Sequence, residues 1–225
     1  MAKGGTFENE VCKKLSLWFS EGKRDDLFTR SDGSGGRFTR RIKKGKDTAN
    51  QGGDISFCDP EGESLIRKWC IECKTGYSGK NKIKDADGDI VKLPIYQPAK
   101  KGEKKKSDDQ RVIIGWKDKV VLAPWDAFDF LDSRQKKTVL QKMWEQCQRD
   151  AELTSREPVL IFRRNGRQPC IVLEQDYLAE LQRDCGKYTS PLVALKSDRQ
   201  VLFVFNLNDF FCWAINLPEI MKSGL

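Results

Sequence analysis

The stretch GGDISFCDPEGESLIRKWCIECK, residues 52–74, decides the fold. Two apolar runs, Asp54 to Cys58 and Leu65 to Lys74, flank DPEGES, whose Pro60 and Gly62 mark a turn, so the stretch predicts a strand hairpin. Side chains alternate along a strand, which places Glu72 and Lys74 on one face and Cys73 on the other. A hairpin also brings Asp54, at the start of one strand after a glycine turn, to the end of its partner. A carboxylate beside an ammonium suits chemistry on a phosphate: the acid ligates a divalent ion while the lysine orients a water or stabilises developing charge. The Cys73 carbonyl is a further candidate ligand. Each element alone is weak, since E-x-K triplets are frequent on solvated strands and a turn aspartate is ordinary.

Upstream, Thr6 to Ser20 carries Phe7, Val11, Leu15 and Trp18 at helical spacing, reinforced by Cys12 and Phe19, with Thr6 as the expected cap. Stepping about 100° per residue puts Glu8 roughly 35° from the centre of the apolar face and Glu10 on the opposite, wet side. A carboxylate aimed at a core is costly unless it is paired or bound to metal. The competing reading of Glu8 is a helix-start glutamate favoured by the macrodipole.

Histidine is absent from all 225 residues, which excludes Ser-His-Asp and Cys-His catalysis and His-ligated zinc. Three oxygen-donor acids, Glu8, Asp54 and Glu72, form the ligand set that Mg2+ prefers, with Mn2+ a plausible substitute. The eight cysteines are scattered through apolar stretches and read as free thiols in a reducing compartment. Cys70 and Cys73 should point to opposite faces, and no second pair completes a zinc knuckle. With a net charge of +8 and a pI of about 9.0 the chain suits a polyanion. No run approaches a bilayer span, so a cytoplasmic protein is expected.

The rest of the chain divides readily. Residues 22–53 read as a strand at Leu27 to Arg30 and then a basic loop, in which the cation run Arg37 to Lys46 supplies Arg37, Arg40, Arg41, Lys43 and Lys44 as candidate phosphate contacts. Residues 75–110 are polar and rich in Lys and Gly, and read as an inserted flexible segment. Two short strand-like runs follow, VIIGW and VVLAPW, then a helix from Ser133 to Leu153. A hairpin turning at Asn165-Gly166, a short helix at Tyr177 to Arg183 and a strand at 201–205 complete the chain.

The order KGGTFENE, RSDGSGG, GDIS, IECK resembles the PD-(D/E)xK nuclease superfamily, in particular its Holliday-junction-resolvase-like branch, over roughly residues 3 to 76. The resemblance resumes weakly at WEQCQRDAELTSREPVLIF. It implies a metal-site glutamate at Glu8, an arginine and serine at Arg30 and Ser34, the aspartate at Asp54, and the E-x-K at Glu72 and Lys74. A site-assisting glutamine matches Gln146 by its Trp-x-Gln context, although the helical wheel puts Gln146 and Gln148 on opposite flanks, each about 100° from the apolar centre. The implied fold is α/β, a restriction-endonuclease-like core whose mixed β-sheet is flanked by helices, forming one domain with a basic insertion at about 75–132 that compact resolvases lack. The implied activity is Mg-dependent hydrolysis of branched DNA by a homodimer. Restriction-like, repair or flap cleavage with the same site, and non-catalytic DNA binding, are the alternatives.

Overall fold

A computed structural model describes residues 3–31, 52–76, 79–82, 85–97, 112–123, 137–196 and 200–223. The chain divides into two compact units, Ser78–Trp125 and the remainder, the first interrupting the second.

The larger unit is built on a five-stranded mixed sheet. Its members are β3 (Trp69–Thr75), β8 (Glu157–Arg163), β9 (Cys170–Glu174), β10 (Leu192–Lys196) and β11 (Val201–Asn206), in the order β10-β11-β9-β8-β3. Only β3 and β8 run parallel, in register from Trp69 opposite Glu157 to Thr75 opposite Arg163. The other three ladders are antiparallel. Parallel neighbours need a long crossover. Here the connection from β3 to β8 holds the whole smaller unit and then α3 (Val139–Glu152). A capping box starts that helix: the Thr138 side chain accepts from the Gln141 backbone, and the Gln141 side chain returns the bond.

Helices cover both faces of the sheet. On one face α3 lays down Leu140, Met143, Trp144, Cys147 and Ala151. On the other, α1 (Lys3–Phe19) packs Phe7, Val11 and Leu15 over Trp69, Ile71 and Cys73 of β3 and Val159 and Ile161 of β8. Trp69 stacks on Trp18 at 5.9 Å and reaches the Tyr177 hydroxyl of α4 (Gln175–Cys185). Burial on both faces explains why β3 reads as a nearly continuous apolar run. The same alternation separates Cys73, inside the α1-side core, from Cys70, whose carbonyl meets the Cys147 thiol on the α3 side.

Several expectations are corrected. Residues 63–68 form a short helix, α2 (Glu63–Lys68), not the first half of a strand: Ser64, Leu65 and Ile66 turn inward together, and Glu63 pairs with Arg67 one turn on. Asp54 to Cys58 therefore does not form a hairpin with β3. Its strand, β2 (Ile55–Phe57), pairs antiparallel with β1 (Phe28–Arg30). Helix α1 begins at Lys3, so Thr6 lies inside it and is not its cap. Glu10 keeps the wetter side of α1, its side chain 36 % exposed against 14 % for Glu8, and pairs there with Arg163 at the end of β8.

The smaller unit has strands where the runs VIIGW and VVLAPW predict them, and it corrects residues 75–110, which supply the partner strands where a flexible segment is expected. It holds two antiparallel pairs, β4 (Gly79–Lys82) with β7 (Val120–Ala123) and β5 (Lys92–Tyr96) with β6 (Ile113–Asp118). At the other end of the chain, strand β10 and the helices α5 (Leu207–Trp213) and α6 (Leu217–Ser223) were not foreseen. Among the described residues no helix is long and apolar enough to cross a membrane.

Candidate active site

Asp54 is held at the edge of β3 by backbone as much as by side chain. Its N–H donates to the Ile71 carbonyl at 2.7 Å and its carbonyl accepts from the Ser31 N–H at 2.9 Å. Its carboxylate Oδ2 accepts from the Cys73 N–H at 2.9 Å. Gly53 makes this approach feasible: φ is +79°, and a Cβ there would sit 2.5 Å from the Ile71 carbonyl oxygen. In an extended strand the N–H and C=O of one residue leave on the same side, so the Cys73 carbonyl faces the Asp54 edge as well.

Glu72 and Lys74 project together on the α3 face. Glu72 is 3 % exposed, and its Oε1 receives both the Lys74 ammonium and Gln146 Nε2, the latter at 2.8 Å. Gln148, the rival on the helical wheel, bonds Gln200 instead. Burial, helped by the neighbouring Asp54 charge, pushes the Glu72 carboxyl up to about 7, against the downward pull of Lys74. Burial also raises Asp54, while the Cys73 N–H and Lys74 oppose it and the Glu8 charge adds to the rise.

Glu8 extends from α1 with its side chain 14 % exposed, paired with Arg30 from the end of β1. Gly5, one turn earlier, leaves room for that guanidinium, whose NH1 would lie 2.9 Å from a Cβ there. Arg30 is thus held by the site's own glutamate. The remaining candidate DNA contacts, Ser34, Arg37, Arg40, Arg41, Lys43 and Lys44, lie outside the described residues.

Asp150 is a group that pattern reading missed. It stands one helical turn beyond Gln146 on α3, half-buried, its carboxyl raised by burial, and its charge contributes to the rise of both Asp54 and Glu72. The i to i+4 spacing from Gln146 was the available signal.

The arrangement gathers Asp54, Glu72, Lys74 and Gln146, with Glu8 and Asp150 within electrostatic reach. Among the described residues, however, no three acidic or thiol side chains converge closely enough to ligate one ion as they stand. Glu8 is engaged by Arg30, and Glu72 by Lys74 and Gln146. A cavity of about 370 Å³ is found elsewhere, among α2, α4 and α6 beside Ser64, Lys68 and Leu217, at the opposite end of β3. The carboxyls that burial raises most clearly, Asp54 and Glu72, lie instead at the far end of β3. No protein-family model, no curated protein and no solved structure matches this chain.

Proposed function

We propose that the chain is a metal-dependent endonuclease of the PD-(D/E)xK type that hydrolyses DNA phosphodiester bonds, with branched DNA such as a four-way junction as its substrate. One observation carries the reading: the buried Glu72 and the half-buried Asp54 lie close enough for the Asp54 charge to raise the Glu72 carboxyl, with Lys74 paired to Glu72 beside them. Burying like charges is costly, and a hard dication is the natural compensation.

The donors fit magnesium. They are carboxylate oxygens and a strand carbonyl, and magnesium is commonly held by one or two carboxylates completed by water and substrate phosphate, not by an all-protein cage. Asp54 and Glu72 are the principal ligands in this reading, with Glu8 and the Cys73 carbonyl completing the set. When bound, such an ion supplies Lewis-acid stabilisation of charge on the phosphate and a more acidic water.

The chain's own groups do the rest. Lys74 orients the attacking water and stabilises charge developing on the phosphoryl oxygens. Gln146 fixes the orientation of Glu72, as a hydrogen-bonded outer partner does for a metal ligand. Arg30, beside Glu8, is suited to a phosphate. A two-fold homodimer fits symmetrical cutting of a junction.

The ion pairs Lys74–Glu72 and Arg30–Glu8 favour a second reading, in which the acids are structural counterions of a non-catalytic DNA-binding protein. Cleavage of a four-way junction, a flap and a linear duplex of one sequence, under magnesium titration with wild type and Lys74→Ala, separates them. Metal-dependent junction cutting that Lys74→Ala abolishes is the expected result. Equal cutting of linear duplex points to a restriction-like or repair enzyme with the same site. Binding without metal-dependent cleavage overturns the nuclease reading.

A further inference from the structure

The proposed hydrolysis leaves one proton without a destination. A water that attacks phosphorus must shed a proton, and the chain has no histidine to take it. The groups assigned so far are engaged. Glu8 pairs with Arg30, Glu72 with Lys74 and Gln146, and the Asp54 carboxylate accepts from the Cys73 N–H. Lys74, as an ammonium, donates and has no lone pair to offer.

Asp150 of α3 differs from them. Among the described residues its half-buried carboxylate has neither a hydrogen-bond donor nor an ion-pair partner, while its backbone carbonyl accepts from the Thr154 hydroxyl at 3.1 Å. Contacts on either side fix its place. One turn earlier Gln146 meets Glu72, and four residues later the Thr154 methyl stands 2.6 Å from where a Cβ on Gly52 would be, two residues before Asp54. Residues four apart share one helix face, so Asp150 stands at the corner between Glu72 and Asp54. Burial raises its carboxyl against the Arg149 and Lys74 charges, and its own charge adds to what burial does to Asp54 and Glu72. An unpartnered carboxylate beside two others costs stability, and such costs concentrate where chemistry is done.

We propose that Asp150 is the proton acceptor for the attacking water, a role that rests on the nuclease reading. In the step an O–H bond of the water breaks and its proton passes to an Asp150 carboxylate oxygen. The water oxygen bonds to phosphorus, the P–O bond to the leaving strand breaks, and the leaving oxygen takes a proton from solvent. Lys74 orients the water and Asp150 receives its proton, so the two tasks fall on different side chains.

Single-turnover cleavage, manganese calorimetry and thermal melting of the full chain test it together. Asp150→Asn should slow cleavage about 100-fold or more at saturating metal, with manganese affinity close to wild type. In chelator at neutral pH the same variant should melt about 2 °C or more higher, because a repelling carboxylate is gone. Asp150→Ala should regain part of its cleavage with added formate, a small carboxylate able to take the proton. Slowed cleavage together with a lower melting temperature marks a structural aspartate and overturns the role. Manganese binding weakened as far as in Asp54→Asn makes Asp150 a ligand and also overturns it. Wild-type cleavage by Asp150→Asn removes this role and leaves the nuclease reading standing. A wild type that cuts nothing in magnesium or manganese removes the nuclease reading, and this role with it.

Discussion

Gln146 of α3 donates its Nε2 hydrogen to Glu72 Oε1 of β3 at 2.8 Å, across the crossover that makes β3 and β8 parallel neighbours. The bond ties the crossover helix to the strand that carries the E-x-K triplet. Gln148, two residues on, faces Gln200 and has no such link.

Removing that tie should be costly and specific. Gln146→Ala is expected to lower metal-dependent cleavage by about 10- to 100-fold, the usual cost of losing an outer partner of a metal ligand. Gln148→Ala should cost less than about two-fold. Single-turnover cleavage of both variants at saturating magnesium checks the contrast, and equal losses would refute the assignment.

The raised Glu72 carboxyl predicts how the metal-free protein responds to pH. The folded value, about 7, lies above the ordinary 4.5. Below about pH 4.5 both states are protonated and this group contributes nothing. Between 4.5 and 7 the unfolded chain ionises while the folded one does not, so stability falls as pH rises, and above 7 the loss is complete. Thermal melts in chelator should show this decline over pH 5 to 8, and Glu72→Gln should lack its share of it. A wild-type stability that rises across that window in step with the variant would refute the prediction.

Metal binding should run the other way. Carboxylates must be deprotonated to ligate, so manganese or magnesium should raise the melting temperature more at about pH 8 than at about pH 6. Asp54→Asn should lose most of that gain. Calorimetric titration of manganese into both proteins measures it directly, and full-strength binding by Asp54→Asn would remove Asp54 from the ligand set.

Gly53→Ala tests the approach of β2 to β3. With φ at +79° and the Ile71 carbonyl oxygen 2.5 Å from the new Cβ, the backbone must shift. A loss of at least about 1 kcal/mol is expected from the left-handed conformation alone, read by denaturant unfolding. Displacing Asp54 should also weaken metal binding, whereas Gly166→Ala, with no atom within 4 Å, should cost stability without touching the site.

Much of this protein is legible in its residues because the relevant rules are local. Helical spacing in Phe7, Val11 and Leu15 finds α1, and alternation puts Glu72 and Lys74 together and Cys73 opposite. The Asn165-Gly166 turn finds the β8–β9 hairpin, and the absence of histidine excludes every mechanism that needs an imidazole. Where local signals are ambiguous the reading fails: Ser64, Leu65 and Ile66 fit a strand or a buried helix turn equally, and only packing makes them α2. The pairing of β2 with β1 in place of β3 is likewise a tertiary choice, as are the Glu8–Arg30 and Glu10–Arg163 ion pairs. Electrostatics belongs entirely to the fold. A carboxylate's charge is written in the sequence, but its desolvation depends on what covers it, and only when α3 closes over β3 do Asp54, Glu72, Lys74 and Asp150 share one poorly solvated corner.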